Sequence, residues 1–378
     1  MQPAVDKRIS PLEYHPGYEV LDEQVMADEV REESKTRRKE NLQQTLRKIS
    51  ETTNRHSAYS TRSVHAKSHG LIYAELEIYD NLPGHLAQGM FATPKKLPMV
   101  MRFSTVPGDI LNDKLCTPRS LAIKILGVEG ERLTGSEEAC TQNFLFVNGS
   151  SFLSSSVQQF LSNLKLLANT DNTPEFKRFL DQILQATSKL IASLSGGRER
   201  LLNNEGQPET NILGETYFSQ DPILYGNYMA KVALVPIAPS LIALTNKPID
   251  VSFASDSLKK SVVDFFITHT AEWELRVQLC TDINKMPIED SSVIWSEDAS
   301  PYLPVAKITA KPQIAWSPYR SQVVDNGMMF SPWHGIKSHR PLGSVMRLRK
   351  ITYEMSKHAN AMSNGKGIPE PTDLDDLC

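Results

Sequence analysis

The feature that most constrains this fold is a series of short segments in which apolar and polar residues alternate with period two. Such alternation predicts β-strands, because successive side chains of a strand point to opposite faces of a sheet. Turn residues follow the first segment, at positions 80–84, and similar turn chemistry separates the others. Strands are predicted at residues 71–79, 99–104, 120–125, 142–147, 230–235, 272–279 and 305–308.

Between the fourth and fifth of these segments the apolar spacing becomes helical. Apolar side chains recur at helical spacing through residues 155–195, and Gly196-Gly197 supplies an end signal. Because strands return afterwards, the helical block (about residues 155–203) is predicted to be an insertion between strands of one sheet. Short strands at this spacing are typical of an antiparallel sheet or barrel. We therefore predict an α+β fold, with one domain over residues 57–360.

The two ends of the chain have a different composition from the predicted domain. Residues 1–56 include a densely charged stretch with sparse apolar positions, which predicts a mostly solvated helical arm. We expect this N-terminal arm to pack on the body of the protein or on a second subunit, so a homo-oligomer is possible. Residues 361–378 form a C-terminal tail whose last part is acidic, and we expect it to be frayed.

Charge and composition exclude several classes of protein. The formal net charge is −3, whereas an electrostatic nucleic-acid binder would show a basic excess. No run of 18 apolar residues occurs, so we expect no membrane span. The four cysteines (Cys116, Cys140, Cys280 and Cys378) have neither disulfide-scaffold nor zinc-finger spacing. With no basic and apolar secretory start visible, we expect reduced thiols and a cytoplasmic location.

The first candidate for chemistry is His65, which follows small and β-branched residues at the entrance to the first strand. On local context alone, a core histidine with satisfied hydrogen bonds is the simpler interpretation. A metal pair with His69 is not favoured, because two residues four apart in a strand are too distant to share one ion.

The second candidate is a tyrosine in the last predicted helix, which begins after Pro341. Arg349 and Tyr353 are four residues apart and therefore lie on the same face of that helix. An adjacent guanidinium favours the phenolate form of tyrosine, and an axial tyrosine is one way of holding haem iron. On its own, the same pair is also compatible with a surface contact on an amphipathic helix.

Taken together, these two places resemble one family, the haem catalases and their shorter catalase-related relatives. The stretch from Trp333 to Gly343 resembles the bacterial catalase-related subgroup. Five motifs in the family's order carry the resemblance: Val64-His65-Ala66-Lys67, then residues 101–108 (MRFSTVPG), residues 117–124 (TPRSLAIK), Asn148 ahead of residues 151–153, and Arg349-x-x-x-Tyr353.

The resemblance implies a catalase-like antiparallel β-barrel with a helical insertion and a wrapping C-terminal helix, binding haem b. Tyr353 would be the metal ligand, and Arg349 would keep it as the phenolate. His65 would be the distal acid–base residue, with its ring held by Ser104, and Asn148 would hydrogen-bond the bound peroxide.

The resemblance also gives roles to residues around the cofactor. Arg62 and Arg102 would pair with the haem propionates, since a guanidinium fork matches a carboxylate. Val64 would pack beside the distal histidine, and Val106 would line the substrate channel. The sequence departs from the large catalases after Arg119, where their Gly-Phe is Ser120-Leu121, and in its shorter length.

The function implied is consumption of peroxide by a haem-dependent oxidoreductase, as a peroxidase or a modest catalase. Its substrate would be hydrogen peroxide or an organic hydroperoxide. Two alternatives stay open. One is rearrangement of hydroperoxides, as in allene oxide synthases of this fold, which carry Thr where Val64 stands here. The other is a haem-binding protein without turnover.

Overall fold

The computed structural model describes residues 9–19, 65–106, 112–113, 117–150, 210–251, 255–350, 353, 370–371 and 373–374. Its strands are β1 (Ser68–Ile78), β2 (Lys96–Thr105), β3 (Arg119–Ile125), β4 (Gln142–Val147), β5 (Tyr217–Phe218), β6 (Ile223–Tyr225), β7 (Tyr228–Pro236), β8 (Ala271–Leu279) and β9 (Leu303–Ala310). They form one antiparallel sheet in the order β5-β4-β3-β2-β1-β9-β8-β7-β6, and β5 also pairs with β7. This second pairing closes eight strands into a barrel, and β6 pairs with the first residues of β7 on the edge that β5 also uses.

The helices of the described residues are short and lie around the barrel. None of them has the length and hydropathy needed to cross a membrane. Four 3-10 turns are Pro16–Tyr18, Gly89–Phe91, Ile212–Gly214 and Lys337–His339; the α-helices are α1 (Pro239–Ile242), α2 (Ser257–Phe266), α3 (Pro318–Ser321) and α4 (residues 344–350 and 353), and a π-turn spans Gln322–Asn326.

The strand predictions are confirmed. All seven predicted segments are strands of the barrel, and the segment at 142–147 matches β4 at both ends. The alternation missed β5 and β6, because strands of two or three residues are too short to show a period. The predicted helical insertion at 155–203 and most of the N-terminal arm lie outside the described residues.

Strand alternation divides the barrel wall into two faces. In β3, Leu121, Ile123 and Ile125 belong to the large interior core. The intervening residues of the same strand point outward, where the chain between β9 and α4 covers the wall. A second apolar cluster forms on this covered outer face from Leu71, Val100, Val324, Met328 and Phe330. We call it the outer cluster.

The described part of the N-terminal arm, residues 9–19, packs on the body of the same chain. The Leu12 amide donates to the carbonyl of Cys280 at 2.8 Å, and the Tyr14 amide donates to the carbonyl of Asn227 at 2.7 Å. Glu19 forms an ion pair with Arg340 at 2.5 Å. This stretch is thereby joined to the strand-rich body, while the packing expected for the charged part of the arm stays a prediction.

We expect folding stability to fall as the pH is lowered from about 6.5 towards 4. His339 is fully buried, its Nε2 accepts the Met90 amide hydrogen at 3.1 Å, and burial lowers its pKa to about 4. Below pH 6.5 this histidine binds a proton in the unfolded chain but stays neutral in the folded chain. The free energy of unfolding therefore falls by about 3 kcal/mol between pH 6.5 and pH 4. Urea unfolding at stepped pH should show this slope.

The matched variant for this prediction is His339→Gln, whose side-chain oxygen can accept the same amide hydrogen. Its unfolding free energy should depend less on pH than that of the wild type between pH 6.5 and 4. Equal slopes in the two proteins would remove His339 as the cause.

Candidate functional site

His65 stands at the entrance to β1 in a left-handed backbone conformation, with φ of 58°. Residues other than glycine rarely adopt this conformation, and it persists where the surroundings hold it. Two hydrogen bonds do so here. The His65 amide donates to the carbonyl of Val106 at 2.9 Å, and Arg102 Nη2 donates to the carbonyl of His65 at 2.7 Å. The backbone from which the imidazole projects is therefore fixed on both sides.

The imidazole contacts a serine on β3. Ser120 Oγ lies 3.0 Å from His65 Nδ1. Ser120 is thus a ring partner that the sequence did not predict, and the role expected for Ser104 stays a prediction. Ser104 and Ser120 are cross-strand partners on the same face of β2 and β3.

Arg102 is buried on the outer face and is engaged by a carboxylate of this chain. Its side chain is 3% exposed, and its Nε donates to Asp325 Oδ1 at 2.7 Å. The other oxygen of Asp325 accepts hydrogen bonds from the hydroxyls of Ser68 and Ser321, each at 2.7 Å. The contact expected between Arg102 and a haem propionate stays a prediction. One side of the guanidinium, at Nε, is already hydrogen-bonded to Asp325.

Asn148 directly follows β4, and its amide contacts two protein groups. Its Oδ1 accepts the amide hydrogen of Arg119 at 3.0 Å, and its Nδ2 donates to Glu215 Oε2 at 2.7 Å. Thr210 donates to the second oxygen of Glu215 at 2.6 Å. A primary amide carries two N–H donors, so over the ranges that the structure describes one hydrogen of Asn148 Nδ2 has no acceptor.

Arg119 is a candidate that the sequence did not single out. It is 3% exposed, and its Nε and Nη1 have no hydrogen-bond acceptor within the part of the chain that the structure describes. Glu215 Oε1 lies 3.5 Å from Nε, which is an ion-pair distance and not a hydrogen bond. Buried guanidinium donors of this kind are suited to a carboxylate.

Arg349 and Tyr353 contact each other as the spacing predicted. Both are helical residues in the described part of α4. Arg349 Nη2 lies 3.4 Å from the Tyr353 hydroxyl oxygen, and its guanidinium carbon lies 5.8 Å from the centre of the ring. The guanidinium is thus a hydrogen-bond donor to the phenol oxygen.

Asp221 anchors this pair and was not predicted. Its Oδ2 accepts a hydrogen bond from Arg349 Nη1 at 2.9 Å, and its Oδ1 accepts one from the Ser291 hydroxyl at 2.5 Å. Burial alone would lower the pKa of Arg349, but Tyr353 and Asp221 raise it above its usual value. The guanidinium that faces Tyr353 is therefore held in place and kept charged.

Two of the predicted cofactor contacts, Arg62 and Val64, lie outside the described residues. Val106 is described and half-buried. Its amide donates to the carbonyl of Pro118 at 3.1 Å while its carbonyl accepts from His65. Its backbone is fixed beside the histidine, and the channel-lining role of its side chain stays a prediction.

Strand pairing shows where Asn148 and Asp221 lie along the barrel wall. Val147 of β4 pairs with Phe218 of β5, and the two strands are antiparallel. Asn148 therefore continues from this pair towards Tyr217 and Glu215, whereas Asp221 lies on the other side of it, in the connection from β5 to β6. Because Asp221 holds Arg349, helix α4 is tied to that connection.

The chemistry of these side chains fits haem b. Tyr353 offers a phenol oxygen beside a permanent cation, His65 offers an imidazole with a hydrogen-bond partner at Nδ1, and Arg102 offers a buried guanidinium. A hard anionic oxygen ligand, an acid–base residue and cationic partners for propionates are what the cofactor requires. No group of three or more His, Cys, Asp or Glu side chains suited to a metal ion occurs among the described residues.

Comparison with solved structures finds catalases. A fungal catalase and catalase A from Saccharomyces cerevisiae each match with a TM-score of 0.58 and 18% identity over 83% of this chain. A bacterial catalase matches with a TM-score of 0.57 and 14% identity over 86% of this chain. At these identities the likeness shows a catalase-like fold.

The chain spans only part of these proteins, covering 61% of the fungal catalase and 63% of each of the other two. No protein-family model matches the sequence, and no curated protein matches it either.

Proposed function

We propose that this protein is a haem-dependent oxidoreductase that consumes peroxide, as a peroxidase or a modest catalase. The observation that carries the proposal is the contact of Arg349 with the Tyr353 hydroxyl, anchored by Asp221 on a catalase-like barrel. At the coarse level, the catalase neighbours support an oxidoreductase of this kind. When bound, haem b would supply redox-active iron, which the protein side chains lack.

Tyr353 would bind the iron through its phenol oxygen, and Arg349 would favour the ionised form of that oxygen. Arg62 and Arg102 would meet the propionates, as the resemblance implies. Asp325 already neutralises Arg102, so we expect Arg62 to contribute more to propionate binding.

His65 would move the proton in the reaction. Before the oxygen–oxygen bond breaks, a proton must leave one peroxide oxygen and reach the other, and one histidine can make both transfers. Ser120 at Nδ1 would orient the ring for this task. The remaining N–H of Asn148 would donate to the peroxide, while Val64 and Val106 would shape the approach.

One observation favours a low rate of peroxide turnover. The Asn148 amide is already hydrogen-bonded to Glu215 and to the Arg119 backbone, so it is less free to follow a reacting peroxide. This arrangement favours modest turnover, and it also suits the alternative of a haem-binding protein with no turnover. Hydroperoxide rearrangement is distinguished by its product and needs a separate assay.

The test is a turnover measurement on protein expressed with haem supply. We expect hydrogen peroxide to be consumed with oxygen release, or with oxidation of an added phenolic donor. Haem-loaded protein that releases no oxygen and oxidises no donor, with hydrogen peroxide or with an organic hydroperoxide, would contradict the enzymatic proposal and support haem binding alone.

The contact between Ser120 and His65 gives a prediction with an internal control. Ser120→Ala removes the ring partner and should slow peroxide consumption about fivefold, the value of one neutral hydrogen bond. Ser104→Ala removes a neighbouring hydroxyl from the same face and should change the rate by less than about twofold. The rates are to be compared at equal haem content. Equal effects of the two variants would contradict the assignment of Ser120.

The remaining family features belong to the same proposal. They are a helical insertion at about 155–203, a wrapping C-terminal helix that continues α4, and a cytoplasmic, homo-oligomeric protein joined through the arm at residues 1–56. The first two would complete the walls of the cofactor site around the barrel.

A further inference from the structure

The chain between β8 and β9 contacts the start of helix α4. Ile288, in this connection, is 1% exposed and packs in an apolar cluster with Leu342, which is fully buried. A Cβ atom on the next residue, Gly343, would lie 2.3 Å from the carbonyl oxygen of Ile288, and Gly343 has φ of 92°. Glycine alone accepts both this backbone conformation and so close an approach. The entry to α4 is therefore packed directly against residue 288.

Glu289, the next residue of the connection, binds the first turn of α4 through both carboxylate oxygens. The Ser344 amide donates to Oε2 at 2.8 Å, which satisfies one of the free N–H groups at the start of a helix. Arg347 donates from Nη1 to Oε1 at 3.0 Å and from Nη2 to Oε2 at 3.1 Å. Such a bidentate contact fixes the direction of the guanidinium as well as its distance. The start of the helix is thus bound at both its backbone and a side chain.

Ser291, two residues further on, reaches the candidate iron ligand through Asp221. The Ser291 hydroxyl donates to Asp221 Oδ1 at 2.5 Å, and both side chains are almost completely buried. The other oxygen of Asp221 accepts from Arg349 Nη1 at 2.9 Å, and Arg349 Nη2 lies 3.4 Å from the Tyr353 hydroxyl oxygen. A continuous series of side-chain contacts therefore leads from Ser291 to Tyr353.

Asp221 has a second buried cation in its surroundings. Lys231 of β7 is 1% exposed. Burial lowers the pKa of Lys231 to about 8, against the opposing effect of the Asp221 and Asp290 carboxylates. The Asp221 carboxylate is thus attracted by Lys231 as well as by Arg349. Because the Ser291 hydroxyl is bonded to one oxygen of Asp221, it opposes a rotation of the carboxylate away from Arg349.

One short stretch of chain therefore holds α4 in two ways. Glu289 binds the first turn of the helix, and Ser291 supports the carboxylate that binds Arg349. We propose that residues 288–291 form a clamp that positions the Arg349–Tyr353 pair, with Ser291 as the positioning residue for the guanidinium. The clamp acts through protein contacts and does not itself touch the cofactor. This inference deepens the proposed haem function and rests on it.

The first test compares Ser291→Ala with Ser292→Ala. Ser292 is the next residue, and its hydroxyl donates to Asp290 at 2.6 Å, so the control removes a hydroxyl from the same loop without touching the contacts of Asp221. Transfer of haem to apomyoglobin gives the dissociation rate. It should rise about tenfold in Ser291→Ala, the effect of one hydrogen bond to a charged group, and stay unchanged in the control. The visible charge-transfer bands of the tyrosine-bound iron should shift in Ser291→Ala alone.

Hydrogen exchange of the haem-free proteins tests the other arm of the clamp without the cofactor. Glu289→Ala removes both contacts with the first turn of α4, so peptides covering residues 343–350 should exchange faster, while peptides from β1 to β4 should not change. The control is Glu297→Ala, since Glu297 is exposed in the same connection and should leave the exchange of α4 unchanged.

The outcomes separate the clamp from the proposed function. Unchanged exchange of α4 in Glu289→Ala would overturn the clamp. Wild-type haem dissociation and charge-transfer bands in Ser291→Ala, or equal changes in Ser292→Ala, would overturn the positioning role of Ser291, even if Ser291→Ala unfolds at a lower temperature. A folded wild type that binds no haem would instead contradict the proposed function, and hydrogen exchange would still decide whether residues 288–291 hold α4.

Discussion

Tyr353→Phe should lower haem affinity by at least about 100-fold, because losing an iron ligand costs no less than losing one of its outer partners. The phenol oxygen is the candidate ligand, and Arg349 lies 3.4 Å from it. Protein expressed with haem supply should be isolated largely without the Soret band. Residual haem should show the spectrum of weakly ligated ferric iron.

Tyr319→Phe is the matched control for this experiment. Tyr319 is 57% exposed, so its hydroxyl can be removed with little effect on the fold or on the cofactor. Circular dichroism and thermal unfolding should show that both variants remain folded. A Tyr353→Phe protein with wild-type haem content and an unchanged Soret band would show that iron is bound elsewhere.

His65→Ala should retain haem and lose at least about 100-fold in the rate of peroxide consumption, the usual scale of general acid–base catalysis. The backbone of His65 is fixed by Val106 and Arg102, and neither contact needs the imidazole. The variant should therefore keep its local fold while losing the group that carries the proton. Stopped-flow mixing with hydrogen peroxide at equal haem content measures the effect.

His269→Ala is the control for histidine removal, since His269 is exposed and lies after α2. Its rate should equal that of the wild type. A further comparison with His65→Gln tests whether a polar side chain without a suitable pKa can replace the imidazole, and we expect that it cannot. An undiminished rate in His65→Ala would remove this residue from the mechanism.

The sequence predicted the barrel strands well because each strand has one face in the core and one face outside. Leu121, Ile123 and Ile125 alternate with Ser120 and Lys124, and the period is visible in a single chain. The pattern does not contain the cross-strand register, however. Ser104 and Ser120 lie opposite each other, and only the structure shows which one contacts His65. The one sequence signal for Ser120 was that it replaces a glycine of the family motif.

The charged partners of the candidate site could not be predicted from the sequence either, because their contacts also depend on tertiary structure. Asp325 is 223 residues from Arg102, and Asp221 is 128 residues from Arg349. Periodicity reports which face a residue occupies, whereas these ion pairs depend on how loops fold across the sheet. The contact of Arg349 with Tyr353 was predictable because it is local, being set by one turn of helix.

The most direct test of the account is the ultraviolet–visible spectrum of the wild-type protein purified after expression with haem supply. The account predicts a Soret band and visible bands of high-spin ferric haem bound by tyrosinate, with a single haem per chain and loss of these bands in Tyr353→Phe. A folded wild-type protein that shows no Soret band and gains none when titrated with haemin would contradict it.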